Sequence, residues 1–336
     1  MWGRHALGRL AICGLGLVFW AMAGGCGRVL ATTHAAIHGA PPTTTSSLYL
    51  NTTNPTVLRQ YGCTAGEQAV TAGVHQGLYI LDFGQPQTWV GTGGPQIGTR
   101  DYGGNFDTIT MISNAAEAWI QGYRACVPGG LRWWKVPHAV LGVGTNNKLP
   151  GGGTTRQGGQ AWAEMINALN LWARHHGDAF DVQVAGASDM ETGWNSPTNT
   201  IAWVNGYNQV AKASLGSVLY DFGDDAGGLN PGGGWTAYDV WYIANGAKLD
   251  LPIPEIYYPA DASLDWAPLS AWALVHEGRL IDFKGVMSES AAAPSTLTAA
   301  QGWSDLVTAL QQIGEANPTH VPFATDINYN GPASFW

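Results

Sequence analysis

Beyond about residue 60 the chain alternates between two kinds of hydrophobic pattern. Short apolar runs rich in Val, Ile, Leu and Tyr occupy residues 78–83, 139–143, 181–188, 217–222, 240–244, 254–258, 281–287 and 322–327; their length and residue types predict strands. Between them, in residues 107–125, 157–176, 198–213, 264–277 and 298–314, apolar residues recur at three and four positions, as Trp162, Met165, Ile166, Leu169 and Trp172 do. These stretches predict helices. Strands that alternate with helices imply a parallel sheet, and eight of them predict an α/β fold closed as a (β/α)8 TIM barrel in a single domain. An open doubly wound sheet is the weaker alternative, because Gly142-Val143-Gly144-Thr145-Asn146-Asn147 lacks the third glycine of a dinucleotide loop and opens no immediate helix.

The N-terminal part reads differently. Arg4 and Arg9 precede an apolar run over residues 10–23, too short for a comfortable membrane span and suited to an export signal. Two processing readings stand side by side: cleavage at Ala21-Met22-Ala23 or Val29-Leu30-Ala31, and lipid attachment at Cys26 after Ala23-Gly24-Gly25. The expected organisation is a signal over 1–31, a linker rich in Thr, Pro and Ser over 32–60, and a barrel domain over 61–336. Such a protein is secreted, or anchored to the outer face of the cell membrane by lipid alone.

Composition narrows the function. With 336 residues, 45% hydrophobic and 12% charged, the chain is too apolar to be disordered. Its 24 acidic against 15 basic residues, a net charge of -9, would repel phosphate backbones, which excludes nucleic acid as a partner. Cys63 and Cys126, in an exported protein, predict one disulfide, with two free buried thiols as the alternative. No Cys-x-x-Cys, His-Glu-x-x-His, Gly-x-Ser-x-Gly or phosphate-loop motif occurs, so neither a metal nor another cofactor is expected.

The distinctive residues are carboxylates at predicted strand ends: Asp82, Asp189, Glu191, Asp221, Glu255, Glu289 and Asp326. In a parallel barrel all carboxyl ends open on one face, where the acids raise one another's pKa, so that one stays protonated while another is ionised. That is the requirement for cleaving a glycosidic bond. Asp189 and Glu191, two apart on one strand, project to the same side about 6.6 Å apart at their backbones. Asp82 or Asp221 would supply a further carboxylate. Trp194, Trp241 and Tyr258 stand beside these acids and offer flat faces for sugar rings; with Glu255 and Asp326 they form the expected substrate-binding set. Most other tryptophans, among them Trp119, Trp162, Trp203 and Trp303, fall in helical stretches and are expected in the core.

The runs Ala187-Ser188-Asp189-Met190-Glu191-Thr192-Gly193-Trp194-Asn195, Leu219-Tyr220-Asp221-Phe222-Gly223-Asp224 and Pro252-Ile253-Pro254-Glu255-Ile256-Tyr257 resemble those of exported bacterial proteins with a glycoside-hydrolase-like barrel. More distantly, an Asp near the end of the first strand plus Asp-x-Glu at a later one is similar to the family 25 glycoside hydrolases, barrel lysozymes that cleave peptidoglycan. The resemblance implies Glu191 as proton donor, Asp189 as its partner carboxylate and Asp82 as the first-strand acid. The chain departs from those enzymes in its first-strand run, Leu81-Asp82-Phe83-Gly84, and in carrying the pair on its third predicted strand, where they have it later. The expected function is hydrolysis of a cell-wall or environmental polysaccharide; the alternative is a non-catalytic carbohydrate-binding or cell-surface protein on the same barrel.

Overall fold

The structure, a computed structural model, describes residues 39–128, 136–146, 152–225, 227–315 and 321–330. The segment read as an export signal, both expected processing sites and Cys26 lie outside the described residues. Eight parallel strands form the main sheet: β1 (Thr45–Tyr49), β2 (Gln76–Asp82), β6 (His138–Thr145), β7 (Val182–Ser188), β8 (Leu219–Asp221), β9 (Asp250–Pro252), β10 (Gly285–Ser288) and β11 (Phe323–Tyr329), in the order β10-β11-β1-β2-β6-β7-β8-β9. The two edges approach each other. Lys284 donates its amide to Pro252 O (2.8 Å), Met287 to Pro254 O (2.9 Å) and Ile256 to Met287 O (3.0 Å), so the sheet is nearly closed and barrel-like.

Side chains alternate between two sides along β7. Ala185 and Ala187 lie in the inner cluster with Leu78, Ile80, Val140, Phe222 and Met287, while Val182 and Val184 join the larger core between sheet and helices. That outer layer is built by α1 (Pro55–Ala72), α2 (Ile109–Cys126), α3 (Arg156–His175), α4 (Pro197–Val210), α5 (Ala237–Trp241), α6 (Ala267–Glu277) and α7 (Ala299–Gln312). Trp119, Trp162, Trp203 and Trp303 are buried in it. Polar side chains cap the helix starts, Asn54 for α1, Thr155 for α3 and Thr298 with Gln301 for α7, satisfying backbone amides that have no partner inside the helix. Cys63 on α1 and Cys126 on α2 form the expected disulfide. Among the described residues no helix is long and apolar enough to cross a membrane.

Three expectations are corrected. Among the described residues the fold begins at Thr45, inside the stretch read as linker, and α1 starts at Pro55 rather than after residue 60. β1 escaped a hydropathy reading because its inward residues include Thr45 and Ser47. Their hydroxyls are satisfied inside the barrel, Thr45 Oγ1 donating to Leu78 O and Ser47 Oγ bonding Thr325 Oγ1 at 2.6 Å, so small polar residues do there what apolar ones do elsewhere. Residues 240–244, expected as a strand, lie in α5 and the wider turn that follows it, Tyr242–Gly246. The helix is opened by a capping box between Thr236 and Asp239. Correspondingly, the sixth expected strand lies a few residues upstream, in β9, with Glu255 making a single bridge to Met287.

One feature was not foreseen. Between β2 and α2 the chain forms a separate antiparallel sheet of β3 (Gln85–Gly91), β4 (Gly94–Arg100) and β5 (Phe106–Thr108). It springs from the carboxyl end of β2 through Gly84, whose φ of 85° and close approach to Arg100 O leave no room for a side chain.

Candidate active site

The carboxyl ends of the sheet gather the acids, as a parallel arrangement requires. Asp82 ends β2, and Asp189 and Glu191 follow β7. Counting β1, that makes the Asp-x-Glu pair the product of the fourth strand of the main sheet rather than the third. One carboxylate oxygen from each of Asp189, Glu191 and Glu255 lies within 4.8 Å of the others. Asp189 and Glu255 are each only 3% exposed; Glu191 is partly exposed and is the member that reaches toward solvent.

Hydrogen bonding separates these acids by role. Asp82 accepts from Gly84 N (2.8 Å), the Tyr102 hydroxyl (3.0 Å) and Asn146 Nδ2 (2.9 Å). Asn146 also donates to Asp189 Oδ2 (2.8 Å), tying the first-strand acid to the pair. Asp221 Oδ1 accepts the amides of Met190 (3.2 Å) and Gly223 (3.1 Å), so Asp221 braces the backbone that carries Glu191. Asp189 Oδ1, by contrast, is buried without a hydrogen-bond partner among the described residues.

Burial and mutual repulsion push the whole group toward the protonated form. Desolvation, then Glu191 and Glu255, raise Asp189 well above the ordinary carboxylate range. Glu255 is raised by desolvation and Glu191, against a hydrogen bond from the Tyr257 hydroxyl. Glu191 is pushed up to about 7 by desolvation, Asp224 and Glu289. These three titrate as one interacting set. Around them stand Tyr49, Tyr102 and Tyr329, with ring centroids 4.8 to 5.7 Å apart. Burial and the neighbouring acids raise all three phenols, which keeps their hydroxyls as donors at neutral pH.

The expected substrate-binding residues are dispersed. Glu255 is in the cluster itself. Trp194 is 1% exposed, with its indole N–H on Asn146 O (3.1 Å) and its ring edge-on to Trp203 at 5.6 Å; it supports Asn146 and has no free face for a sugar. Trp241 is buried in α5, in the helix layer, under the Arg279 guanidinium at 5.7 Å. Asp326 lies within β11 and accepts from the Ser290 hydroxyl and Ala291 N, holding the loop after β10. Tyr258 is exposed just past Glu255, with its amide held by Asp261.

Two site residues, Tyr49 and Tyr102, went unread in the sequence. Tyr49 sits in the segment taken as linker, and Tyr102 lies between β4 and β5 of the unforeseen sheet; neither stands at a recognisable motif. Trp89 on β3, 56% exposed and packed against Phe106 at 6.0 Å, is an available aromatic face that no neighbouring acid marked. As to metals, the Asp189, Glu191 and Glu255 oxygens are spaced so that they could share a cation, whereas the other close group, Cys63, Glu67 and Cys126, has both sulfurs in the disulfide. Comparison with protein-family models, curated proteins and solved structures finds no match to this chain.

Proposed function

We propose that this protein is an exported glycoside hydrolase built on a single (β/α)8 TIM barrel, and that it cleaves a polysaccharide with retention of anomeric configuration. The observation that carries the reading is the convergence of Asp189, Glu191 and Glu255, oxygen to oxygen within 4.8 Å, at the carboxyl end of the parallel sheet. Retaining enzymes hold two carboxyl groups about 5–5.5 Å apart, whereas inverting ones need about 6.5–9.5 Å to admit a water. The spacing here suits direct attack. The position of the Asp-x-Glu pair after the fourth strand also brings the chain nearer to the lysozyme pattern than the sequence count did.

In this reading Glu191, raised to about 7 and partly exposed, protonates the departing glycosidic oxygen. Glu255 attacks the anomeric carbon, replacing the C–O bond to the leaving group with a glycosyl ester. Glu191, now ionised, takes a proton from water; the resulting hydroxide displaces Glu255 from the sugar and restores both groups. Asp82 and Asp221, expected from the sequence as nucleophile or stabiliser, have their oxygens committed to Gly84, Tyr102 and Asn146 or to Met190 and Gly223. They position rather than attack.

The test is release of reducing sugar from a panel of bacterial and plant polysaccharides by the full chain beside its Glu191→Gln and Glu255→Gln variants. Each substitution is expected to lower the rate by about 10²- to 10⁴-fold. Equal rates for the Glu191→Gln variant and the parent remove Glu191 from the mechanism. Tight binding to a glycan with no release by any form identifies a carbohydrate-binding protein instead.

A further inference from the structure

Resting on the hydrolase reading, we infer that the glycan taken by this site carries an ammonium group, as a polymer of amino sugars with free amines does, and that Asp189 Oδ1 receives it. Three features of the cluster lead there.

Asp189 is 3% exposed, and its Oδ1 has no hydrogen-bond partner among the described residues while Oδ2 is held by Asn146. A hydrogen bond to a buried carboxylate oxygen is costly to leave unmade, so a ligand that donates to that oxygen gains in recognition. Asp189 also belongs to a group with the right spacing, one carboxylate oxygen from each of Asp189, Glu191 and Glu255. Three atoms within 4.8 Å of one another share a point at most about 2.8 Å from each, which is the length of a charge-assisted N–H···O bond. An ammonium offers three such donors.

Charge is the third feature. The strongest charge effects on Asp189 come from Glu191, Glu255, Asp82 and Asp221, and those on Glu255 from Glu191, Asp224 and Glu289. All are acids. Three carboxylates this close cannot all ionise unaided, yet attack by Glu255 requires its ionised form. A cation brought by the substrate supplies the compensation, letting Asp189 and Glu255 ionise together while Glu191 keeps its proton. A neutral glycan leaves that repulsion in place, and a uronic acid polymer adds to it. The sugar amine therefore belongs on the ring whose anomeric carbon faces Glu255.

The experiment supplies each linkage in two forms, as a fully de-acetylated polymer of glucosamine or galactosamine and as the same polymer N-acetylated, and compares kcat/KM for the full chain. A preference of about tenfold or more for the amine form is expected, equivalent to one charge-assisted contact. In Asp189→Asn, which keeps the shape of the side chain, the ratio is expected to collapse toward one. The preference should also shrink as salt is raised between low and physiological ionic strength. Equal or faster cleavage of the acetylated form overturns the ammonium assignment and leaves the hydrolase standing. Preference unchanged in Asp189→Asn overturns the assignment to that residue. Cleavage of neither form, when another polysaccharide of the panel is cleaved, overturns the assignment alone; cleavage of nothing in either panel overturns both readings.

Discussion

Asn146 connects Asp82 to Asp189 through one amide group, and what that amide does shows how roles are divided at the scale of single residues. Each acid at the mouth is classified by the number of donors already aimed at it. Asp82 and Asp221 accept from backbone amides that shape the loops at the mouth; Asp189, Glu191 and Glu255 instead converge on one another, oxygen to oxygen. The pH dependence of activity follows from Glu191. Its carboxyl, raised to about 7 by desolvation, Asp224 and Glu289, is the acid in the first step, so kcat is expected to fall as pH rises through about 7. Replacing Glu289 by Gln removes one of the repelling charges and should move that limb to lower pH. A basic limb that stays in place in Glu289→Gln, or that lies above pH 9, would contradict the assignment.

At the scale of elements, α1 and α2 are pressed together backbone to backbone. A Cβ on Gly62 would stand 2.0 Å from Trp119 O, and one on Gly122 1.9 Å from Arg59 O. Glycine here makes close helix packing, and the Cys63–Cys126 bond ties the same pair across a separation of 63 residues. Gly122→Ala is expected to lower stability by about 3 kcal/mol or more, since backbone on the far side cannot yield. Gly93→Ala, with no atom within 4 Å of its added carbon, should stay within about 0.5 kcal/mol; urea midpoints at constant slope distinguish the two. Reducing the disulfide releases a long loop in the unfolded chain and should cost about 4 kcal/mol on the loop-entropy account, measured by the same titration with and without reductant. If both perturbations prove neutral, the α1 and α2 contact is not what holds this side of the barrel.

For the whole molecule, the acids determine how stability varies with pH. Glu191 and Asp224 are raised to about 7 and Asp225, whose two oxygens are buried without partners among the described residues, to about 9. Desolvation leads in each. The unfolded chain releases these protons near pH 4 while the folded one keeps them to pH 7 or 9. Across that interval the folded state therefore binds more protons, and stability falls as pH rises. Tm at pH 5 should exceed Tm at pH 8.5 by several degrees; a Tm that rises over this range would show that the acids are not buried as described. The net charge of -9 acts in the same direction through self-repulsion.

Much of this architecture was legible along the chain. The period of apolar residues is a local property, and it marked α2, α3, α4, α6 and α7 and six of the eight strands of the main sheet. It also showed that Asp189 and Glu191 leave one strand on the same side as Ala185 and Ala187, and the two cysteines announced their bond. What escaped was whatever depends on distant partners. Thr45 and Ser47 count as polar until Leu78 and Thr325, far along the chain, accept and share their hydroxyl protons. Trp194 counts as a sugar platform until Asn146 O and Trp203 enclose it. Residues by themselves determined that acids would exit a parallel sheet at one end. Only the tertiary structure decided which of those acids brace backbone and which converge on one another, because an oxygen's partners come from elements that are neighbours in space and distant in sequence.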